Sequence, residues 1–242
     1  WIFKFEMIKN NLTNIKKENF VKFYLNNNLI TKSINDPQET LLDFLRINQN
    51  LKGTKEGCAE GDCGACTILI GKLNQDNKVI YKTANSCILF TPSIDNSHLI
   101  TIDGLSNSIE ELHPIQEAFV KFSGAQCGFC TPGFVMSIYG LLLKTKRPSK
   151  TEILNAIQGN LCRCTGYGPI ISAAEELSEN YYFASDILLK NNEKWAKKLI
   201  ELKSYNSKEK DNHGLDYFIP RSLNQLKEIL NYNENATIVA GS

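Results

Sequence analysis

The sequence predicts an α+β chain in which a small sheet-and-helix unit precedes an all-helical unit and, last, the opening of an α/β unit. Three observations predict it. Apolar residues alternate with period two from residue 20, recur at near-helical spacing between residues 109 and 183, and finish in an amphipathic run followed by an apolar segment at 237–240. A chain of 242 residues is long enough to bury two cores.

Val21, Phe23 and Leu25 mark residues 20–25 as a half-buried strand. Asn26-Asn27-Asn28 predicts a turn, with residues 29–33 as the returning strand. Asp36-Pro37-Gln38-Glu39 predicts a helix start, with Asp36 as N-cap, Pro37 in the first helical position and Glu39 closing a capping box. That helix runs through Leu41, Leu42, Phe44 and Leu45. Strand-like segments follow at 67–73, 79–83 and 99–102. Two strands, a helix and further strands is the order expected of a small β-grasp domain over 19–102, after an N-terminal extension at 1–18. Met7 stands as an alternative start, which would place residues 1–6 upstream of the coding region.

From Gly104 onward the period becomes helical. Ile109, Leu112, Ala118, Phe119 and Phe122 predict a helix at 109–122, and further helices are expected at 132–143, 149–158 and 169–183. Ser149 and Glu152 form a capping box, and Gly159-Asn160 supplies a stop. These four helices make an all-helical domain over 105–185. Residues 186–213, rich in Lys, Asn and Glu, read as a linker carrying one helix at 191–202. Residues 214–242 read as the start of an incomplete α/β domain: Phe218-Ile219-Pro220, an amphipathic run at 222–230 and a strand at 237–240.

A formal charge of +1 and 22% charged residues provide no basic field for nucleic acid, so no nucleic-acid partner is expected. No run approaches the roughly 20 apolar residues of a membrane helix, and the N-terminus lacks a signal-peptide pattern. The expectation is a cytoplasmic protein without a membrane partner, in a compartment where thiols stay reduced and free for metal.

All eight cysteines fall into two non-interleaved sets of four. Cys58, Cys63 and Cys66 lie within nine residues and must serve one site, with Cys87 as a remote fourth ligand. Gly57, Gly61 and Gly64 are expected to take positive φ and turn backbone amides inward, where amides tune a sulfur-ligated centre. This spacing is the plant-type [2Fe–2S] pattern. Cys127, Cys130, Cys162 and Cys164 form the second set, each pair preceding a predicted helix whose N-terminal dipole favours an anionic cluster. Arg163 between the last two is expected to turn away, offsetting charge or docking a partner. Structural zinc is the competing assignment for both sets. His98, His113 and His213 lie apart and are given no ligand role, and no catalytic acid, base or nucleophile stands out. Phe129 and Tyr167 are expected to shield the second set from water.

The segments Glu56-Gly57-Cys58-Ala59-Glu60-Gly61-Asp62-Cys63-Gly64-Ala65-Cys66, Gln126-Cys127-Gly128-Phe129-Cys130-Thr131-Pro132-Gly133 and Asn160-Leu161-Cys162-Arg163-Cys164-Thr165-Gly166-Tyr167 resemble the iron–sulfur modules of the molybdenum hydroxylases. The resemblance covers roughly residues 20 to 185, with the three motifs in the family's order. It implies two [2Fe–2S] clusters, the β-grasp one near FAD and the helical one near a molybdopterin cofactor on a large partner subunit. Gln126 would hydrogen-bond the pterin, and Cys164 would be both cluster ligand and electron entry point. Electrons would pass from that cofactor through both clusters to FAD and a soluble acceptor such as NAD. Phe218 to Leu223 and Ile238 to Ser242 resemble the opening of the family's FAD domain, with Gly241 in its phosphate-binding loop. Iron–sulfur and flavin parts on one chain resemble a xanthine dehydrogenase small subunit. Aldehyde, carbon monoxide and N-heterocycle oxidation stay open within the family, and a zinc-stabilised module without redox function stays open outside it.

Overall fold

In the computed structural model the described residues are 20–106, 111–181, 186–209, 217–218, 220 and 222–239. Strands β1 (Phe20–Leu25) and β2 (Asn28–Ser33) form the expected antiparallel hairpin, and Asn26 takes the left-handed turn conformation at φ 53°. β3 (Thr67–Leu73) and β4 (Val79–Asn85) form a second antiparallel pair. β5 (His98–Ile100) lies between the pairs, parallel to β1 and antiparallel to β3, for a sheet order β2-β1-β5-β3-β4. The fifth strand is shorter than expected, because the chain turns into a 3₁₀ turn at Ile102–Gly104.

Helix α1 (Leu41–Asp43, continued by a π turn at Phe44–Asn48) packs on one face of this sheet. Leu41, Phe44 and Leu45 meet Val21, Phe23, Leu25, Ile68 and Leu99 there. Its start differs from the expected one. Asp36 accepts from Gln38 N at 2.8 Å in a local turn, whereas Thr40 is the cap, accepting from Asp43 N at 3.1 Å. Two caps four residues apart competed, and Thr40 is fixed by pairing with Phe90 just before the helix.

The other sheet face is covered as well, so β3 alternates between two cores. Ile68 enters the α1 core, while Leu69 joins Val79, Tyr81 and Ile100 against the helices. The helical part comprises α2 (Pro114–Lys121), α3 (Thr131–Lys144), α4 (Lys150–Ile157) and α5 (Gly168–Asn180). Central α3 buries Phe134, Val135, Met136, Ile138, Tyr139 and Leu142. Helix α2 begins five residues later than expected, residues 109–110 of that reading lying outside the described residues. Pro114 suits the first helical turn and holds the preceding residue extended, so His113, at ψ 143°, becomes the cap and Gln116 closes the box. The Ser149–Glu152 capping box forms as expected. The last bundle helix ends at Asn180, and Phe183 lies outside the described residues.

The segment read as a linker is built into the core. Helices α6 (Ile187–Lys190) and α7 (Asn192–Glu209) bury Leu188, Trp195, Ala196, Leu199 and Leu202 against the sheet and bundle. Asn192 Oδ1 accepts from Val79 N at 3.1 Å, and its Nδ2 donates to Val79 O at 2.8 Å, pairing the outer edge of β4. The high Lys and Glu content that suggested a linker belongs to α7's solvent face. Helix α8 (Leu223–Tyr232) matches the amphipathic run and is capped by Ser222. Residues 237–239 have no strand pairing, and Ala240 and Gly241 lie outside the described residues.

Candidate iron–sulfur sites

The first cysteine set sits at one end of the sheet. Cys58 and Cys63 lie in the loop before β3, Cys66 immediately precedes β3, and Cys87 follows β4. Pairing of β3 with β4 from Leu73–Val79 to Thr67–Asn85 brings Cys66 and Cys87 together, with their Sγ atoms 3.3 Å apart and the residues 2% and 6% exposed. Backbone amides of Glu60, Asp62 and Cys63 point at Cys58 Sγ, at 3.5, 3.4 and 3.4 Å. Gly61 and Gly64 take positive φ, +81° and +68°, as expected, and so does Ala59 at 59°. Gly57 does not; it is needed because a Cβ there would stand 2.7 Å from Cys63 Sγ. Asn85, at the end of β4, donates to Gly61 O at 2.7 Å and ties the loop to the sheet.

The second set is assembled by the bundle. Cys130 caps α3, and Cys162 and Cys164 lie between α4 and α5. Cys164 and Cys127 are exposed, with Sγ atoms 3.6 Å apart, while Cys130 interacts with Cys162. Thr165 donates its amide to Cys162 Sγ at 3.4 Å, and its hydroxyl is 3.1 Å from the same sulfur. Tyr167, read as a shield, instead accepts a hydrogen bond from Cys162 N at 2.9 Å. Its φ of 67° turns the chain into α5, and its ring meets Phe134 edge-on. Phe129 is 48% exposed. Gln126 and Arg163 are exposed beside Cys127 and Cys164.

Electrostatics splits each set into easy and difficult thiols. Amide hydrogen bonds from Glu60 and Cys63 bring Cys58 down to about 7, whereas burial raises Cys63 and, with Cys66 beside it, pushes Cys87 up to about 12. Burial alone would raise Cys162, but the Thr165 hydroxyl and amide bring it to about 7. Burial and then Cys162 push Cys130 up to about 12, and the Cys127 thiol raises Cys164. A soft metal centre bound by thiolates removes the cost that keeps these crowded thiols protonated.

The donor set suits [2Fe–2S] clusters, which take four cysteine sulfurs, two on each iron. The thiols gather in pairs, and among the described residues no three metal-binding side chains converge on one point. The buried Thr131 hydroxyl beside Cys130 has no hydrogen-bond partner among the described groups, and a bound sulfur centre would supply an acceptor for it. His98 and His113 are occupied elsewhere. His98 Nε2 donates to Asn26 O and its Nδ1 accepts from Tyr81 OH, both at 2.7 Å, and His113 caps α2.

Sequence reasoning missed how the sites join. Leu161 N donates to Cys63 O at 3.0 Å, and Asn160 Nδ2 donates to Gly64 O at 3.1 Å. Asn160 had been read only as a helix stop. The available signal was an amide side chain two residues before Cys162, which carries a donor and an acceptor the stop does not require.

A β-grasp sheet and a helical bundle, each closing on paired thiols, define a two-centre iron–sulfur protein. The family model described as "2Fe-2S iron-sulfur cluster binding domain" matches residues 23–90, and that described as "[2Fe-2S] binding domain" matches residues 101–175. Xanthine dehydrogenase of Blastobotrys adeninivorans is 49% identical over 162 residues, 66% of this chain and 12% of that protein. Xanthine dehydrogenase/oxidase of Mus musculus is 47% identical over 150 residues, 62% of this chain and 11% of that protein. The chain therefore spans about an eighth of the length of the curated relatives it matches. Among solved structures, a chain of quinoline 2-oxidoreductase from Pseudomonas putida 86 is 33% identical with a TM-score of 0.57, and 66% of this chain covers 95% of it. Aldehyde oxidoreductase from Desulfovibrio gigas is 32% identical with a TM-score of 0.59, over 74% of this chain and 18% of that one. The chain belongs to the molybdenum hydroxylase family and contains its two iron–sulfur domains.

Proposed function

We propose that the chain is the electron-transfer part of a molybdenum-dependent xanthine dehydrogenase. The observation that carries this reading is the backbone hydrogen bond between the loops that bear the two thiol sets, Leu161 N to Cys63 O at 3.0 Å. Cys63 belongs to the first set, and Leu161 precedes Cys162 of the second. A separation of one hydrogen bond and a few covalent bonds serves exchange between two redox centres, whereas two independent structural metal sites have no use for it. The similarity to xanthine dehydrogenases, 45–49% identical in the relatives from Blastobotrys adeninivorans and Emericella nidulans, supports the same reading.

Cys58, Cys63, Cys66 and Cys87 would hold one [2Fe–2S] cluster, and Cys127, Cys130, Cys162 and Cys164 the other. Bound there, the clusters supply one-electron carriers. The protein's own contribution is to pair the thiolates, aim amides at Cys58 and Cys162, and seal Cys66 and Cys87 from solvent. Cys127 and Cys164 stay exposed beside Gln126, the side on which we place a molybdopterin-binding domain or subunit. Gln126 would contact the pterin, and Cys164 would be the entry point. An FAD domain would begin near residue 214, with Gly241 in its loop and NAD or another soluble acceptor beyond. A cytoplasmic location agrees with reduced thiols.

A second reading within the family is oxidation of an aldehyde or N-heterocycle. It is favoured by the coverage of 95% of a quinoline 2-oxidoreductase chain. The test is purification of the protein with its natural partners, iron and acid-labile sulfide analysis, and anaerobic reduction by substrate. About two irons and two sulfides per four cysteines, with bleaching by xanthine, are expected. Bleaching by aldehyde or quinoline alone selects the second reading, and zinc in a colourless protein removes both.

A further inference from the structure

We propose that Asn160 is a positioning residue that fixes the spacing between the two thiol sets, so that electron exchange between them depends on its side-chain amide. The inference rests on the electron-transfer reading and goes beyond it by naming the group that holds the two halves in register.

The amide joins three segments. Asn160 Nδ2 donates to Gly64 O at 3.1 Å, in the loop carrying Cys58, Cys63 and Cys66. Its Oδ1 accepts from Ser137 Oγ at 2.8 Å, on the helix whose first turn follows Cys130. Its own backbone lies two residues before Cys162, and the next residue donates to Cys63 O at 3.0 Å. The carbonyls of residues 63 and 64 thus receive donors from residues 161 and 160, a two-rung ladder across the junction. Thr67 also donates to Gly64 O, from its hydroxyl at 2.7 Å and its amide at 3.2 Å, so that carbonyl is already oriented by its own loop when Asn160 reaches it.

The approach is as close as backbone allows. A Cβ on Gly133 would lie 2.2 Å from Gly64 O, so the first turn of α3 rests directly on the first thiol loop. Asn160 is 4% exposed, and a buried amide must keep both donor and acceptor satisfied. Asn offers both at every pH, whereas Asp keeps the shape and the acceptor but loses the donor once ionised. N160D is therefore examined at alkaline pH, where its carboxyl is charged. Beside the junction lies a cavity of about 340 Å³ lined by Thr67, Asn85, Ser137 and Asn160. It is partly polar, open to solvent and roomy enough for water, so a lost amide bond would be replaced by solvent and the loops would drift, instead of being refilled by a packed side chain.

The experiment uses the holoenzyme containing this chain, reduced with dithionite and examined by low-temperature electron paramagnetic resonance. Two interacting centres split one another's lines, and the splitting weakens steeply as they separate. We expect clear splitting in the unaltered protein and weaker splitting in N160D at unchanged iron content, with several-fold slower equilibration between the centres. Faster amide exchange at Leu161 should accompany it, a change in the protein independent of turnover. G133A, which wedges the same junction apart with the amide intact, should lose splitting too. S137A, which frees the amide's other end, should show a smaller loss and decides the matter if N160D does not fold. Unaltered splitting and Leu161 protection in N160D, or in S137A where that is the variant available, overturn the proposal, even if the melting temperature falls. Absence of iron–sulfur signals in the unaltered protein overturns the electron-transfer reading, and this inference with it.

Discussion

The two thiol sets are built from opposite materials. The first hangs on a sheet: its loop is tied by Asn85, and Cys66 and Cys87 are buried at the end of β3 and β4, against Leu42. The second hangs on helix ends, with Cys127 and Cys164 on the surface. A site enclosed by its own chain is complete, whereas a site half open is completed by what covers it. The difference supports the proposal that a partner covers the second set, while in the first set Cys66 and Cys87 are enclosed and Cys58 and Cys63 are half-buried. The most direct way to break that comparison is to remove one ligand from each set. Cys87→Ser should lose the first centre, about half the iron, and also loosen the sheet end. Cys164→Ser should lose only the second, with the sheet unchanged. Iron analysis with amide exchange across β3 and β4 measures both, and equal disturbance of the sheet by the two variants would contradict the asymmetry.

Acid should separate the two scaffolds next. His98 is enclosed by Tyr81, Asn26 O, the ring of Trp195 at 3.7 Å and the nearby Lys198 charge, and burial, the largest cause, lowers it from 6.5 to about 4. A histidine lowered on folding contributes stability present above its unfolded value and lost as pH falls from 6.5 through 4. The loss amounts to about 3 kcal/mol at its fullest. His113 in the bundle is also lowered by burial, but Asp186, with Oδ2 4.0 Å from its Nε2, opposes the shift. Acid titration followed by denaturant midpoint should therefore weaken the packing of α7 on the sheet before the bundle. His98→Gln should flatten the dependence in that window; an unchanged slope would show that another group sets it.

The same contrast governs what could be read from sequence. Period-two alternation at Val21, Phe23 and Leu25 revealed β1 because its residues divide between faces of one sheet. Ser149 and Glu152 revealed α4 because a capping box is local. The first thiol set was legible for the same reason, three of its cysteines sharing one loop. The Asp36 cap misled because two acceptable caps lay four residues apart and only tertiary pairing at Thr40 chose between them. The polar face of α7 concealed a buried face carrying Trp195 and Leu199. The contacts of Asn160 with Gly64 and of Tyr167 with Cys162 were not legible, since neither the pairing nor the direction of a polar side chain follows from spacing.

A smaller effect tests the loop tie of the first site. Asn85→Ala removes the donor to Gly61 O and the partner of the Thr67 hydroxyl 3.4 Å away, in a part-buried setting. A cost of about 1–2 kcal/mol is expected, read by chemical denaturation, together with faster loss of the first centre to a chelator. Retention of the first centre at the normal rate would mean that the Cys58–Cys66 loop keeps its shape without the sheet.

The smallest expected effect lies at the second site. Tyr167→Phe removes only the hydroxyl that accepts from Cys162 N at 2.9 Å, while the ring can keep its edge contact with Phe134 at 5.9 Å. The amide is part-buried, so water can replace the lost acceptor, and the cost should stay near 0.5–1 kcal/mol, roughly the net value of one neutral hydrogen bond. The Thr165 donors to Cys162 Sγ are local to the loop and should persist. The second centre is therefore expected to assemble with unchanged iron content and a slightly broadened resonance, and the first to show no change. Complete loss of the second resonance would place the hydroxyl among the groups that build the site. The open site would then depend on this tie within its own loop as much as the first one depends on the sheet.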